Sequence, residues 1–407
     1  MVNYNAFHSY SKDPMSAASH DFRSDTFTVP SNEMIEFMKH ASRGDDVYQE
    51  DESTNAFQNR MAELTGHQAA LFCVSGTMTN QLAIRAHLAQ PPHSVLCDAR
   101  AHIHTNEAGG IAHHSQATTT PVYPSNGLHL TLDDVKSNLI VGDDIHCAPT
   151  KLVCIENTLY GTIIPQSEVV RIGEEVRKHS IPFHLDGARL WDVSAKTHIP
   201  IKDLCEPFDS VSLCMSKGLG APVGSVLVGS KELIEKAKWF RKMFGGGIRQ
   251  SGSLALAANY ALDHNFPQLP KVHALASKLA EGLHYLGLNI ALPVHTGMIF
   301  LDSKQPDGFS VDVLQERLEK EEGIRVWMGK YPRIVLHFQI TEQVVERFLR
   351  KAAQIIADSD IVIQDASSPI RKQSYACIYS NAVPSKNKLN SFDDLINPRQ
   401  FYASYGK

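Results

Sequence analysis

No stretch of this 407-residue chain approaches about 18 uninterrupted apolar residues, so no membrane-spanning helix is expected. The amino-terminal run MVNYNAFHSYSKDPMSAAS lacks a cationic segment followed by an apolar one, so no secretory signal is visible. Charge of one sign is also missing: 39 Lys and Arg against 44 Asp and Glu leave a net −5, without blocks. That balance argues against nucleic acid or an anionic membrane as a partner. Cysteine is sparse, at seven residues (73, 97, 147, 154, 205, 214 and 377), an odd number without CxxC spacing. Such usage predicts reduced core thiols and a cytoplasmic setting. Internal repeats, low-complexity tracts and a Walker motif are absent as well.

What is present is an alternation of short β-rich runs with helical patterns. Phe57, Met61 and Leu64 predict a helix over 54–64 that stops at Gly66. Strands are expected at 69–74, 152–156, 182–185, 210–215 and 225–228. Helices are expected at 78–88, at 231–244 and, capped by Ser167, up to His179. This order predicts α/β layers around a mainly parallel sheet. A long helical stretch at 254–286 follows. Beyond it, strands at 297–301, 324–327 and 334–338 with helices at 311–320 and 342–357 predict a smaller α+β domain. The expected organisation is an N-terminal arm (1–20), a large domain (21–275), a small C-terminal domain (276–359) and a tail (360–407) without an assigned role.

Parallel sheets collect chemistry in the loops beyond the carboxyl ends of their strands, and three motifs sit there. In F-C-V-S-G-T-M-T-N, Ser75, Gly76 and Thr77 link a strand to a helix. Backbone N–H groups and a hydroxyl at a helix start suit a phosphate, although such a turn alone is equally a plain helix cap. In F-H-L-D-G-A-R-L-W, Asp186 ends a strand, with Arg189 just beyond. On its own this is also a surface ion pair. In S-L-C-M-S-K-G-L-G-A-P-V-G-S, Lys217 stands among Gly218, Gly220 and Gly224. The glycines suggest clearance for a bulky group. A strand rather than a helix follows GLGAPVG, so this is no dinucleotide fingerprint. Together, a phosphate cradle, a strand-end carboxylate and a strand-end lysine are what pyridoxal 5′-phosphate needs. The lysine anchors its aldehyde, and the carboxylate keeps its ring nitrogen protonated.

From about residue 21 to 338 the chain resembles the threonine aldolase family of fold-type-I pyridoxal phosphate enzymes. The resemblance rests on D-F-R-S-D-T-F-T-V-P, G-D-D-V-Y, C-V-S-G-T, A-H-I-H-T-N-E-A-G-G, H-L-D-G-A-R, S-K-G-L-G-A-P-V-G-S and G-G-G-I-R-Q-S-G, in that order. It implies a large domain with a mainly parallel seven-stranded sheet and a smaller C-terminal α+β domain. It implies Lys217 as the cofactor's covalent anchor and Asp186 at the ring nitrogen. Ala188 would pack one ring face and His102 stack on the other. Ser75, Gly76, Thr77 and Ser216 would hold the phosphate, with Arg249 reaching it from a neighbouring subunit. Tyr48 would also act across subunits, in a dimer or tetramer with shared active sites. Ser24, Arg189 and Arg333 would grip the substrate carboxylate, a task for which a planar guanidinium suits better than an amine. His102 and His104 also form an HxH pair, but no third ligand at a matching spacing supports a metal site.

One departure bears on the reaction. Many members carry a histidine in E-N-T-H that bonds the substrate β-hydroxyl; here the segment is C-I-E-N-T-L-Y-G, with Leu159 at that place and Tyr160 beside it. Leucine cannot bind a hydroxyl, a loss worth about 1–3 kcal/mol, unless His102 or Tyr160 takes the role. Asn106 stands where some members place an aromatic ring. The implied activity is cleavage of threonine, allo-threonine or a related β-hydroxy-α-amino acid to glycine and an aldehyde. The alternative is an amino-acid racemase of the same fold, such as the fungal alanine racemases that serve peptide biosynthesis. A silent cofactor-binding or scaffold protein is the remaining class.

Overall fold

The computed structural model describes residues 14–329 and 331–358, so the expected tail and most of the expected N-terminal arm lie outside the described residues. Strands β1 (Ala69–Cys73), β2 (Ser94–Asp98), β3 (Thr118–Val122), β4 (Thr150–Glu156), β5 (Phe183–Asp186), β6 (Ser210–Cys214) and β7 (Ser225–Gly229) form one seven-stranded sheet. Its order is β1-β7-β6-β5-β4-β2-β3. All neighbours pair in parallel except β7, which runs antiparallel to β1 and β6. Strands such as SVSLC and SVLVG are buried along their whole length. Covering both faces of a sheet with helices requires this continuous burial in place of in–out alternation.

Local chemistry sets most helix ends. Helix Glu52–Thr65 starts at Asp51, whose carboxylate accepts from Thr54 N, and stops at Gly66 at φ +73°. Helix Gly76–His87 starts at Ser75, whose Oγ accepts from Met78 N. Three expectations change. Helix Gln166–Lys178 follows Pro165, so Ser167 lies inside its first turn and does not cap it. The 254–286 stretch is two helices, Gly252–His264 and Leu269–Tyr285, joined by a 3-10 turn at Phe266–Gln268. Pro267 and Pro270 lack the N–H groups that a continuous helix needs. Residues 324–327 are not a strand: Arg325 and Trp327 make single bridges to different partners, Asp21 and Arg333.

The C-terminal part holds an antiparallel pair, β8 (Met298–Phe300) with β9 (Arg333–Val335). Helices Val311–Glu322 and Glu342–Ala357 also belong to it. Two main apolar cores result. One includes Phe72, Val153, Phe183, Val211 and Val226 from the large sheet. The other includes Leu279, Ile299, Leu314, Ile334 and Phe348, and it takes Phe22 from the start of the described chain. Phe22 N donates to Arg325 O at 2.7 Å, and Val335 N donates to Phe22 O at 2.8 Å. A few residues later, Thr28 Oγ1 donates to Lys217 O at 3.3 Å. The 22–28 segment therefore straps the C-terminal part to the loop after β6, with Ser24 and Asp25 in between. No helix among the described residues is long and apolar enough to cross a membrane.

Candidate active site

The carboxyl ends of the parallel strands converge as the topology demands. Asp186 ends β5, Glu156 ends β4 in register with it, and Lys217 follows β6. Ser75, Gly76 and Thr77 follow β1 at the start of a helix, and His102 opens the short helix after β2. The loop before His102 is pinned by Arg100, which donates to Asp98 Oδ1 at 2.8 Å and to Gly127 O at 2.9 Å.

Asp186 is 4% exposed. Its Oδ1 accepts from Ala188 N at 3.1 Å and its Oδ2 from Asn80 Nδ2 at 2.8 Å. No cation appears among these partners. His102 Nδ1 lies 2.8 Å from Glu107 Oε1. Glu107 Oε1 also accepts from Asn80 Nδ2 at 2.9 Å, and Glu107 Oε2 from Gln81 Nε2 at 2.6 Å. Burial opposes charge on His102, but the bond to Glu107 and the fields of Asp186 and Glu156 outweigh it and raise its pKa. Glu156 Oε2 accepts from His102 N at 2.7 Å. Burial first, and the nearby Asp186 second, push the Glu156 carboxyl up to about 7, against the pull of His102 and Lys217. The Lys217 amine makes no hydrogen bond or ion pair among the described residues. Its field nevertheless reaches both Glu156 and Asp25.

The expected carboxylate clamp assembles around a residue that the motif reading passed over. Arg189 grips Asp25 in a fork, Nε to Oδ2 at 2.8 Å and Nη2 to Oδ1 at 2.6 Å. Burial disfavours charge on Asp25, but Arg189 overrides it and holds the carboxyl at about 2, aided by Lys217 and Arg333. Ser24 Oγ donates to Asp25 Oδ1 at 3.4 Å, and Arg333 Nη2 donates to Arg23 O at 3.1 Å. Ser24, Arg189 and Arg333 thus gather at one place, beside Lys217.

Elsewhere the outcome differs by residue. The Tyr160 ring packs on Phe300, with centroids 5.5 Å apart, in a small apolar cluster with Met298 and Val335. Leu159 is buried at 4% exposure. Tyr48 is 71% exposed, and Arg249 is an exposed side chain whose Nη1 meets Asp45 Oδ2 at 2.7 Å. Among the described residues, neither side chain is hydrogen-bonded or ion-paired to another expected site residue. The clearance expected of the glycines around Lys217 is corrected. At Gly220 (φ +75°) a Cβ would lie 2.5 Å from the Phe338 ring, and at Gly224 (φ +123°) 2.5 Å from the Phe72 ring. These two serve the turn and internal packing; only Gly218, whose neighbours are all at ordinary contact distance, leaves room.

His102, Glu107 and Asp186 bring ligand-type atoms within 4.8 Å of one another. The trio is internally satisfied, because Asn80 gives each carboxylate an N–H and Glu107 also bonds His102. The residues fit pyridoxal phosphate instead. A buried carboxylate without a cation suits a protonated ring nitrogen, and an amine without a partner suits a covalent anchor. No described residue accepts from Gly76 N or Thr77 N at this helix start, which suits a phosphate. Motif reading missed Asp25, Asn80, Glu107 and Glu156. All four lie inside quoted segments, and Glu156 also ends a parallel strand, which is the available signal.

The pattern of the beta-eliminating lyase family matches residues 21–306. A relative from Schizosaccharomyces pombe, "Probable low-specificity L-threonine aldolase", is 50% identical over 80% of this chain and 84% of its own length. The "Alanine racemase TOXG" of Cochliobolus carbonum is 38% identical over 69% of this chain and 75% of its own. Among solved structures, a putative L-allo-threonine aldolase from Listeria monocytogenes superposes with a TM-score of 0.70 at 22% identity. It covers 84% of this chain and 99% of that one, and it supports the fold.

Proposed function

The chain belongs to the beta-eliminating lyase family, and from that premise we propose that it is a pyridoxal 5′-phosphate-dependent aldolase. It cleaves L-threonine, L-allo-threonine or a related β-hydroxy-α-amino acid to glycine and an aldehyde. The observation that carries this reading is the convergence of Asp186, His102 and the unpartnered Lys217 at the strand ends, beside the clamp of Arg189 and Arg333.

When bound, the cofactor supplies an electron-withdrawing ring that takes up the electron pair released at the substrate's Cα. Asp186, fixed by Asn80 and Ala188 N, holds the positive charge on the ring nitrogen. Lys217 anchors the group. Ser75, Gly76, Thr77 and Ser216 would hold its phosphate, with His102 and Ala188 as the residues that would flank the ring. Ser24, Arg189 and Arg333 grip the substrate carboxylate and so decide which bond at Cα is aligned for cleavage. The Asp25 fork engages Nε and Nη2 of Arg189, and Nη1 is the nitrogen outside it. His102 Nδ1 is committed to Glu107, which leaves Nε2 to accept the β-hydroxyl proton. Tyr160 is the other candidate for that contact.

Arg249 and Tyr48 complete a neighbouring subunit's site in a homotetramer, which their exposure in the single chain supports. A cytoplasmic setting accords with the buried free thiols of Cys73, Cys97, Cys154, Cys205 and Cys214.

Buried Leu159, which offers no hydrogen bond to a β-hydroxyl, favours one second reading, an amino-acid racemase. One assay separates the two. Purified protein is incubated with threonine stereoisomers and with alanine in deuterated water, scoring aldehyde release and Cα exchange together. The aldolase reading expects aldehyde from at least one threonine isomer. Exchange and racemisation of alanine without aldehyde from any isomer contradicts it in favour of the racemase.

A further inference from the structure

Asn80 lies one turn into helix Gly76–His87 and is 1% exposed. Its Nδ2 donates to both Asp186 Oδ2 and Glu107 Oε1, while its Oδ1 lies 3.2 Å from His184 Nε2. Carboxylates only accept hydrogen bonds, so the amide has a forced orientation. The rest of the chain is then forced in turn. Oδ1 must accept, so His184 Nε2 carries the hydrogen and Nδ1 is left to accept from the Ser210 hydroxyl at 2.8 Å. The Ser210 oxygen in turn accepts from His87 Nε2 at 2.8 Å. Burial keeps both rings neutral, at about 3 for His184 and about 4 for His87, as this one-way arrangement requires.

His184 and Asp186 share one face of β5, two residues apart, and Ser210 pairs with His184 across β6. The line of donors therefore runs beneath the helix from its last turn to the two carboxylates. Asp186 has one further donor, Ala188 N. Glu107 has Gln81 and His102. Asn80 alone, among the described residues, is hydrogen-bonded to both. His102 faces both carboxylates and Glu156 faces Asp186, while Lys217 acts on Glu156.

We propose that Asn80 is a positioning residue of the active site: its amide, locked by the His184–Ser210–His87 chain, ties Asp186 to Glu107. It thereby keeps the carboxylate that meets the ring nitrogen in register with the histidine that stacks on the ring. This inference rests on the cofactor reading above.

The test uses the holoenzyme and the variants Asn80→Leu, His184→Leu and His184→Gln. The readouts are the pH midpoint of the bound cofactor's visible absorption and the cofactor dissociation constant, followed by tryptophan fluorescence. Asn80→Leu should move the midpoint by about one pH unit and weaken cofactor binding about tenfold, the worth of a hydrogen bond to a charged group. His184→Leu should do the same to a smaller extent. His184→Gln keeps an N–H for Asn80 Oδ1 and should return both readouts towards wild type. Leucine variants that lose thermal stability but keep the wild-type midpoint and dissociation constant overturn the proposal. If Asn80→Leu does not fold, the His184 pair decides by the same criteria. Wild-type protein that binds no cofactor overturns the underlying reading, a failure visible before any substitution is made.

Discussion

Asp25 sits where a substrate-binding arginine needs support more than company. Arg189 is largely enclosed, its side chain 15% exposed, and a guanidinium in that position is stable only with a well-placed anion. Removing the anion leaves a largely enclosed charge uncompensated, so Asp25→Ala should cost about 3 kcal/mol of stability in denaturant unfolding. It should also raise KM for the amino acid, because Arg189 loses its fixed orientation. A stability change under about 1 kcal/mol would rank the pair with exposed salt bridges.

Glu156 makes the opposite case. Its carboxyl is raised from 4.5 to about 7 in the folded protein, so the fold binds this proton more tightly than the unfolded chain does. The resulting stabilisation is complete below about pH 4.5 and is lost as pH rises to about 7. In the cofactor-free protein, Glu156→Gln should therefore gain Tm relative to wild type as pH increases across that window. A Tm difference that stays constant over the same range would contradict the assignment.

At the scale of elements, the start of helix Gly76–His87 matters most. A Cβ at Gly76 would lie 2.6 Å from Cys214 Sγ on β6, so the helix approaches the sheet as closely as a glycine permits. Gly76→Ala should push the phosphate-facing N–H groups off their positions and weaken cofactor affinity about tenfold. Cys214→Ala in the same chain should recover most of that loss in a cofactor titration, because the two positions are coupled through one contact.

The elements that carry this site are the ones whose sequences speak plainly. Ser75, Gly66 and the apolar runs of β4, β6 and β7 announce helix starts, stops and buried strands. β2 and β3 do not. SVLCD follows the turn signal of Pro91 and Pro92 but runs straight into the polar stretch D-A-R-A-H without period-two alternation, and TTTPV is a partly exposed edge strand containing Pro121, which is tolerated only at an edge. Residues 324–327 have strand composition but divide their bridges between two partners, a tertiary outcome that no local pattern encodes. In the site, Lys217 and Asp186 are legible from strand-end position. The Asn80 network is not, because it joins residues from three elements and the loop of Glu107, whose only shared property is position in space.

On the scale of the whole molecule, two cores meet at the active site, and the 22–28 segment crosses from one to the other. Lys217 belongs to the large-sheet side and Arg333 to β9, so the substrate clamp spans both parts. Tyr48 and Arg249 face outward. If each catalytic centre takes its lysine from one chain and its phosphate arginine from another, inactive Lys217→Ala and Arg249→Ala proteins should complement. Random reassortment into dimeric units would restore about a quarter of the sites. Mixed and refolded variants that stay as inactive as either parent would confine the whole site to one chain.

The most direct test concerns the covalent anchor. Borohydride reduction of the cofactor-loaded protein, followed by peptide mapping, should place a pyridoxyl group on Lys217 and on no other lysine. A reduced adduct elsewhere, or none in protein saturated with pyridoxal 5′-phosphate, would contradict the account at its centre.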